Sequence, residues 1–236
     1  MSAGTLSTGT PARIHPTALV EAGVEIGEGS SIWDAVHVRG PGTTIGRDCI
    51  VGEKSYIAYG VTIGDRVKIN AFVYVCTAVT IEDGVMLSAG TTFTNDRYPR
   101  ATTPDLSELR PSDPDDDTLA TIVRAGTTVG ARALIGPGLE LGRFSMVGMG
   151  AVVTKSVPDF HLVAGFPART IAAVGRDGHP IARAVDGVLP DLDTPRCPGR
   201  GGRRPPRGRW GDRHGRRRRS SGPGSRPRGG SRGRTW

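Results

Sequence analysis

Aliphatic residues recur at every sixth position along most of this chain. The run is Val20, Ile26, Ile32 and Val38, then, after one extra residue in "RGPGTT", Ile45, Val51, Ile57, Ile63, Ile69, Val75, Ile81, Leu87 and Phe93. It resumes at Val123, Val129, Ile135, Leu141, Val147 and Val153. A helix repeats its apolar face every 3.6 residues and a simple strand every 2, so a strict period of six fits neither alone. It fits a coil of short strands, each turning a corner after a few residues. The aliphatic then points inward, a small or β-branched residue four positions later packs beside it, and Gly or Asn eases the turn. One such coil cannot bury its own apolar face, so stability comes from stacking many. The roughly nineteen hexads, at three per coil, predict six or seven coils. The fold class expected is all-β, a parallel β-helix interrupted once by an extended loop over 95–122, whose first residues are "NDRYPR".

Composition agrees. Hydrophobic residues are 36%, aromatics only 5%, and glycine is high at 35 of 236 residues. This suits tightly turned β segments better than a helical bundle. No apolar run approaches a membrane span, and the N-terminus has no basic segment followed by an apolar stretch, so neither a membrane protein nor a secreted one is expected. The cysteines, Cys49, Cys76 and Cys197, are odd in number and far apart, which excludes a disulfide framework and a zinc knuckle of ordinary spacing. A cytoplasmic location is the expectation.

The net charge of +8 is unevenly distributed. Residues 195–236 hold fifteen Arg and one acid, leaving 16 basic and 22 acidic residues in 1–194. That last stretch is Arg, Gly and Pro with almost no aliphatics, a composition that cannot form a packed core and is expected to be disordered. It reads as a basic arm able to bind nucleic acid by counterion release, as an arm with no function, or as the product of a frame shift near Cys197 in a GC-rich gene. The expected organisation is a flexible 1–12, a β-helix over 13–171, an appendage over 172–194 and the tail.

Four stretches carry a family resemblance: "IHPTALVEAGVEIGEGSSIW", "FTNDRYPRA", "TIVRAGTTVGARALI" and "VGMGAVVTKSVPDFHLVAGFPAR". Together they resemble the left-handed β-helix, or hexapeptide-repeat, acyltransferases. The nearest branch is the bacterial N-acetyltransferases that act on the 3-amino group of nucleotide-linked (dTDP or UDP) amino sugars. The resemblance implies a left-handed helix, a homotrimer, and acetyl-CoA lying in a groove between neighbouring subunits. A sugar O-acetyltransferase, or a non-catalytic scaffold with a nucleic-acid-binding tail, is the alternative.

Acetyl transfer to an amine needs a neutral amine, a thioester held against it, donors for the developing oxyanion and a proton sink. Asn95 opens the break in the repeat. The resemblance places it beside the sugar amine, where its amide oxygen accepts a hydrogen bond; the bland alternative is a turn cap. Asp96 is a candidate proton acceptor or sugar-hydroxyl ligand, and Tyr98 a substrate contact. Arg100 either pairs with a substrate phosphate or ties the loop to the helix. His37 is a candidate general base or a structural histidine. Asp34 stands where the resembled branch often has His, which weakens that segment as a source of the base but leaves Asp34 a possible substrate contact. For the cofactor, Lys155 and Arg169 are candidate partners of CoA phosphate, and Gly136, Gly148 and Gly150 candidates for the path of the pantetheine arm. A metal is not expected: His15, His37, His161, His179 and His214 show no short ligand spacing, unlike the zinc-binding β-helix carbonic anhydrases.

Overall fold

The computed structural model describes residues 10–190. The expectations for residues 1–9 and for 191–236, including the Arg-Gly-Pro tail and its nucleic-acid reading, lie outside these described residues.

Each hexad forms a two- or three-residue strand, and every third strand lies on the same face. The chain therefore winds as a parallel β-solenoid with three sheets. The second face, on which the candidate site is built, stacks Leu19–Val20, His37–Val38, Tyr56–Ile57, Tyr74–Val75, Thr92–Phe93, Leu134–Ile135 and Val152–Val153. Neighbouring coils are in register, with Tyr56 opposite both His37 and Tyr74. The third face runs from Glu25–Ile26 to Glu140–Leu141.

The first face is longer. It stacks eight parallel strands, from Arg13–Ile14 to His161–Gly165, so the stack extends beyond the six or seven coils expected from the hexad count. The added strands are Arg13–Ile14, just before the periodic run begins, and His161–Gly165, just after it ends. The chain then doubles back. Ala168–Val174 pairs antiparallel with His161–Gly165, and Pro180–Arg183 pairs antiparallel with Ala168–Val174. The strand Ala168–Val174 thus runs across the expected boundary at residue 171, with Ala172, Ala173 and Val174 buried.

The repeating aliphatic is the core. Val38, Val51, Ile57, Val75, Leu87, Phe93, Val123, Val129, Ile135 and Leu141 are all fully buried. The residues four positions further on, such as Ser30, Cys49, Val61, Val67 and Val73, are buried beside them. Where these are polar, the side chain caps a neighbouring coil: Ser30 Oγ donates to the Gly46 carbonyl at 2.8 Å, and Thr127 Oγ1 to that of Gly142 at 2.7 Å.

Glycine often stands directly after the aliphatic, as at Gly27, Gly46, Gly52 and Gly64, where the expected pattern has it ease the turn. It does not make the turn. A Cβ on Gly46 would lie 2.6 Å from the Gly64 carbonyl carbon, inside van der Waals contact, so glycine there permits the close approach of adjacent coils. The left-handed backbone falls two residues later, and is filled by Ala35, Lys54, Arg66, Phe72 and Ala78 as well as by glycine. A non-glycine residue in that region costs about 1–2 kcal/mol. Rung hydrogen bonds at the corner offset it, as where Lys54 N–H donates to the Asp34 carbonyl and Phe72 N–H to that of Glu53, each at 3.0 Å.

Phe93, the last core residue before the break, tests the packing. Phe93→Ala should lower unfolding free energy by about 3–5 kcal/mol, whereas Thr80→Ala, on the exposed outer side of the third face, should change it by less than about 0.5 kcal/mol. Equilibrium chemical denaturation followed by far-ultraviolet circular dichroism checks both.

Candidate active site

The solenoid opens after Thr92–Phe93 and closes again at Thr121–Val123. The break ends two residues earlier than expected. Thr121 and Ile122 already pair with Val79 and Thr80 of the coil below, so the ladder captures them before the next inward aliphatic, Val123. The excursion has its own antiparallel stem. Leu119 N–H donates to the Asn95 carbonyl at 2.8 Å, Arg97 N–H donates to the Asp117 carbonyl at 3.0 Å, and Asp96 bridges Thr118. Further out, Arg110 N–H donates to the Ala101 carbonyl, and Thr102 bridges Leu109. The stem satisfies backbone groups that the interrupted ladder would otherwise leave unpaired.

Between this loop and the second face lies a cleft of about 330 Å³. It is at the lower end of the volumes typical of small-molecule sites. Of the residues singled out from sequence, Asn95, Asp96, Tyr98 and Arg100 line it together. Asn95 sits on the corner between the second and third faces, half-buried, with Thr77 and Tyr59 directly below on successive coils. A side-chain ladder runs down that corner: Asn95 Nδ2 donates to the Thr77 carbonyl at 3.4 Å, and Thr77 Oγ1 to the Tyr59 carbonyl at 2.8 Å. The amide nitrogen of Asn95 is thus engaged with the scaffold, and its oxygen is the end able to accept. Asp96 is exposed and receives one long hydrogen bond, from Thr118 Oγ1 at 3.4 Å. Arg100 does not tie the loop to the solenoid; its Nη1 donates to the adjacent Pro99 carbonyl at 3.2 Å.

His37 belongs to the same face but does not line the cleft. Its Nε2 lies 2.8 Å from Glu21 Oε1, and its ring meets the face of Tyr56 edge-on, centroids 5.3 Å apart. Tyr56 in turn stacks on Tyr74, nearly parallel, at 5.3 Å. Glu21 also accepts from Arg39 Nε at 3.0 Å and from the Gly40 N–H at 3.1 Å. The hydrogen bond with His37, then that from Gly40, holds the Glu21 carboxyl below its ordinary value.

Sequence reasoning missed Arg39, Tyr56, Tyr59, Tyr74 and Cys76, all of which line the cleft. The signal was present at a period of eighteen rather than six. Three hexads return the chain to the same face, so Tyr56 and Tyr74, eighteen apart, and His37, nineteen before Tyr56 because of the extra residue, form one outward column.

The other candidates are dispersed. Asp34, Gly148 and Gly150 fall on the opposite corner, between the first and second faces. Lys155 lies on the same corner as Asn95 but two coils further on, about 10 Å along the axis at the usual strand spacing. Gly136 lies on that corner between them. Arg169 is on the antiparallel extension of the first face, its Nη1 donating to the Ala168 carbonyl. Packing accounts for Gly148, where a Cβ would come within 2.9 Å of the Ala164 Cβ, whereas Gly150 faces open space at a φ of 67°. Among the described residues, no cluster of three or more His, Cys, Asp or Glu is arranged to hold a metal ion, and no helix is long and apolar enough to cross a membrane.

The repeat that builds this geometry matches known families over part of the chain. Residues 60–95 match the bacterial transferase hexapeptide (six repeats), and residues 42–76 and 121–155 match the hexapeptide repeat of succinyl-transferase. The chain is therefore similar, over these stretches, to bacterial hexapeptide-repeat transferases, and two curated proteins that it resembles are sugar acyltransferases. One is the dTDP-3-amino-3,6-dideoxy-alpha-D-galactopyranose 3-N-acetyltransferase of Aneurinibacillus thermoaerophilus, 47% identical over 49 residues, which are 21% of this chain and 26% of that protein. Another is the acyl-[acyl-carrier-protein]–UDP-N-acetylglucosamine O-acyltransferase of Brucella ovis, 45% identical over 56 residues, 24% of this chain and 20% of that one. The chain therefore spans about a quarter or less of the length of these relatives. Among solved structures, the acetyltransferase domain of PglB from Neisseria gonorrhoeae in complex with acetyl coenzyme A aligns at TM-score 0.40 and 21% identity, over 69% of this chain and 58% of that one. AntD, an N-acyltransferase from Bacillus cereus in complex with dTDP and 3-hydroxybutyryl-CoA, aligns at 0.37 and 20%, over 72% and 86%.

Cys76 forms part of the cleft wall, and burial pushes its thiol up to about 12. At pH 8 only about one molecule in 10⁴ then carries the thiolate, the form that reacts. Iodoacetamide at pH 8 should leave Cys76 unmodified in the folded protein and alkylate it after denaturation, as read by peptide mass spectrometry.

Proposed function

We propose that this protein is an acetyl-CoA-dependent N-acetyltransferase that acts on the amino group of a nucleotide-linked 3-amino sugar. The observation that carries this reading is the cleft at the break in the repeat, where Asn95 presents a scaffold-anchored carboxamide beside Asp96. Sequence relatives that acylate nucleotide sugars support it. In this reading Asn95 Oδ1 accepts a hydrogen bond from the amine and directs the nitrogen lone pair at the thioester carbonyl. A C–N bond forms as the carbonyl oxygen takes up charge. The C–S bond then breaks, CoA leaves as thiolate, and the proton lost by nitrogen ends on sulfur, through Asp96 or directly. Much of the acceleration comes from positioning two reactants that already react readily, so no strong base is required.

The acyl donor runs along the solenoid above Asn95, past Gly136, with Lys155 against a phosphate. A second copy of the chain supplies the other wall of the groove in a homotrimer. The exposed apolar groups of the loop, Tyr98, Leu106 and Leu109 at 63%, 79% and 80%, suit such a neighbour. The location that goes with this reading is the cytoplasm.

Purified protein, acetyl-CoA and a panel of dTDP- and UDP-linked 3-amino sugars, with CoA release as the readout, test the proposal. Release with at least one amino sugar, and none with the matching 3-hydroxy sugar, is the expected result; turnover of the hydroxy sugar alone would make it an O-acetyltransferase. Asn95→Ala should lower kcat about 10–100-fold through lost positioning. Its stability cost should stay within about 1 kcal/mol, because the hydrogen bond lost is a single long one.

A further inference from the structure

The cleft is electrically polar along the solenoid axis. At the loop end stand Asp96, Asp113 and Asp117, which suit an amine and hydroxyl groups. Arg110, on the same side, forms an ion pair with Asp115 at 2.8 Å, so that end stays acidic on balance. At the other end the cation is Arg39, which rises from the second coil into the cleft wall. Unlike Arg100, which sits on an exposed loop and bonds only its neighbour's carbonyl, Arg39 is held on several sides. Its Nε donates to Glu21 at 3.0 Å, its Nη1 lies 3.4 Å from Tyr56 Oη, and its guanidinium carbon stands 5.7 Å from the centroid of the Tyr59 ring. Glu21 is itself fixed by His37 and the Gly40 N–H. Such an arginine has little left to lose in side-chain entropy when it meets a ligand, and its remaining N–H groups form the fork that matches a phosphate.

We propose that Arg39 binds the diphosphate of the substrate, and that Glu21 and His37 are positioning residues that aim it rather than participants in proton transfer. The proposal rests on the reading of the substrate as a nucleotide-linked amino sugar. The spacing agrees with it. The Arg39 guanidinium reaches the level of Tyr56, two coils below Asn95, which is about 10 Å at the usual strand spacing. From a 3-amino nitrogen to the two phosphorus atoms of a sugar nucleotide is a run of single bonds spanning about 6–9 Å. A sugar with its amine at Asn95 and its anomeric oxygen directed down the column therefore brings its diphosphate to Arg39.

The test pairs steady-state kinetics with calorimetric binding of dTDP and UDP. For Arg39→Met, KM for the nucleotide sugar should rise about 10–100-fold, the loss expected for hydrogen bonds to a charged group. Its kcat and its KM for acetyl-CoA should stay within about threefold, and nucleoside diphosphate affinity should fall by the same factor as the sugar nucleotide's, since one lost interaction enters both. Arg39→Lys, which keeps the charge and tests for mere misfolding, should recover part of the loss. Glu21→Gln should raise the same KM by less, and His37→Gln should leave the shape of the pH profile of kcat unchanged. Lys68→Met, on the first face, serves as the control. Unaltered diphosphate affinity in Arg39→Met overturns the proposal, as does a fall in kcat at constant KM. If no nucleotide sugar is acetylated at all, the proposed function fails. Binding of dTDP or UDP that is lost in Arg39→Met would still uphold the anion site, and absence of that binding in the wild type would overturn it.

Discussion

The rest of this structure depends on the hydrogen-bonded ladder between successive coils. A two-residue strand has almost no stability of its own, and its isoleucine or valine cannot be buried by its own coil. Stacked in register, each strand donates to the coil on one side and accepts from the coil on the other, and the aliphatics close into a continuous column. The ladder also sets how near two coils come. That distance is what requires glycine after the inward aliphatic at Gly46 and Gly64, where a Cβ would overlap the next backbone.

The same ladder builds the site. Because every third hexad returns to one face, outward side chains separated by three hexads become neighbours at the strand spacing. Tyr56 stacks on Tyr74, His37 meets Tyr56, and the corner places Asn95 over Thr77 over Tyr59. A rigid solenoid thus supplies a ruler along which functional groups are spaced at fixed steps. The loop that interrupts the ladder supplies the facing wall, and its own antiparallel stem holds it there.

The residues around the cleft differ in how firmly they are held. Asn95 is anchored to the scaffold through its amide nitrogen. Arg39 is fixed through Nε by Glu21 and, more loosely, through Nη1 by Tyr56 Oη. The scaffold restrains both side chains, which lowers the entropy that either would lose in a further contact. Asp96 and Arg100, by contrast, ride on an exposed loop with few constraints.

A period of six in aliphatic residues was enough to determine the coil, the inward column, and the place where the chain leaves it. Those follow from local chemistry repeated many times, so errors at single hexads do not accumulate. The interruption at Asn95, and with it Asp96, Tyr98 and Arg100, was legible for the same reason: polar and proline residues cannot continue the pattern. What only the tertiary structure decided is which outward residues meet. Arg39, Tyr56, Tyr59, Tyr74 and Cys76 each look like isolated surface residues in the sequence, and become one wall only through coil register, with one extra residue in "RGPGTT" to be absorbed. The pairing of His37 with Glu21, which fixes a histidine outside the cleft, and the dispersal of Gly148, Gly150, Lys155 and Arg169 over two corners and the antiparallel extension, have the same origin. Position around the solenoid depends on the running count of residues per coil, and only the ladder of hydrogen bonds keeps that count.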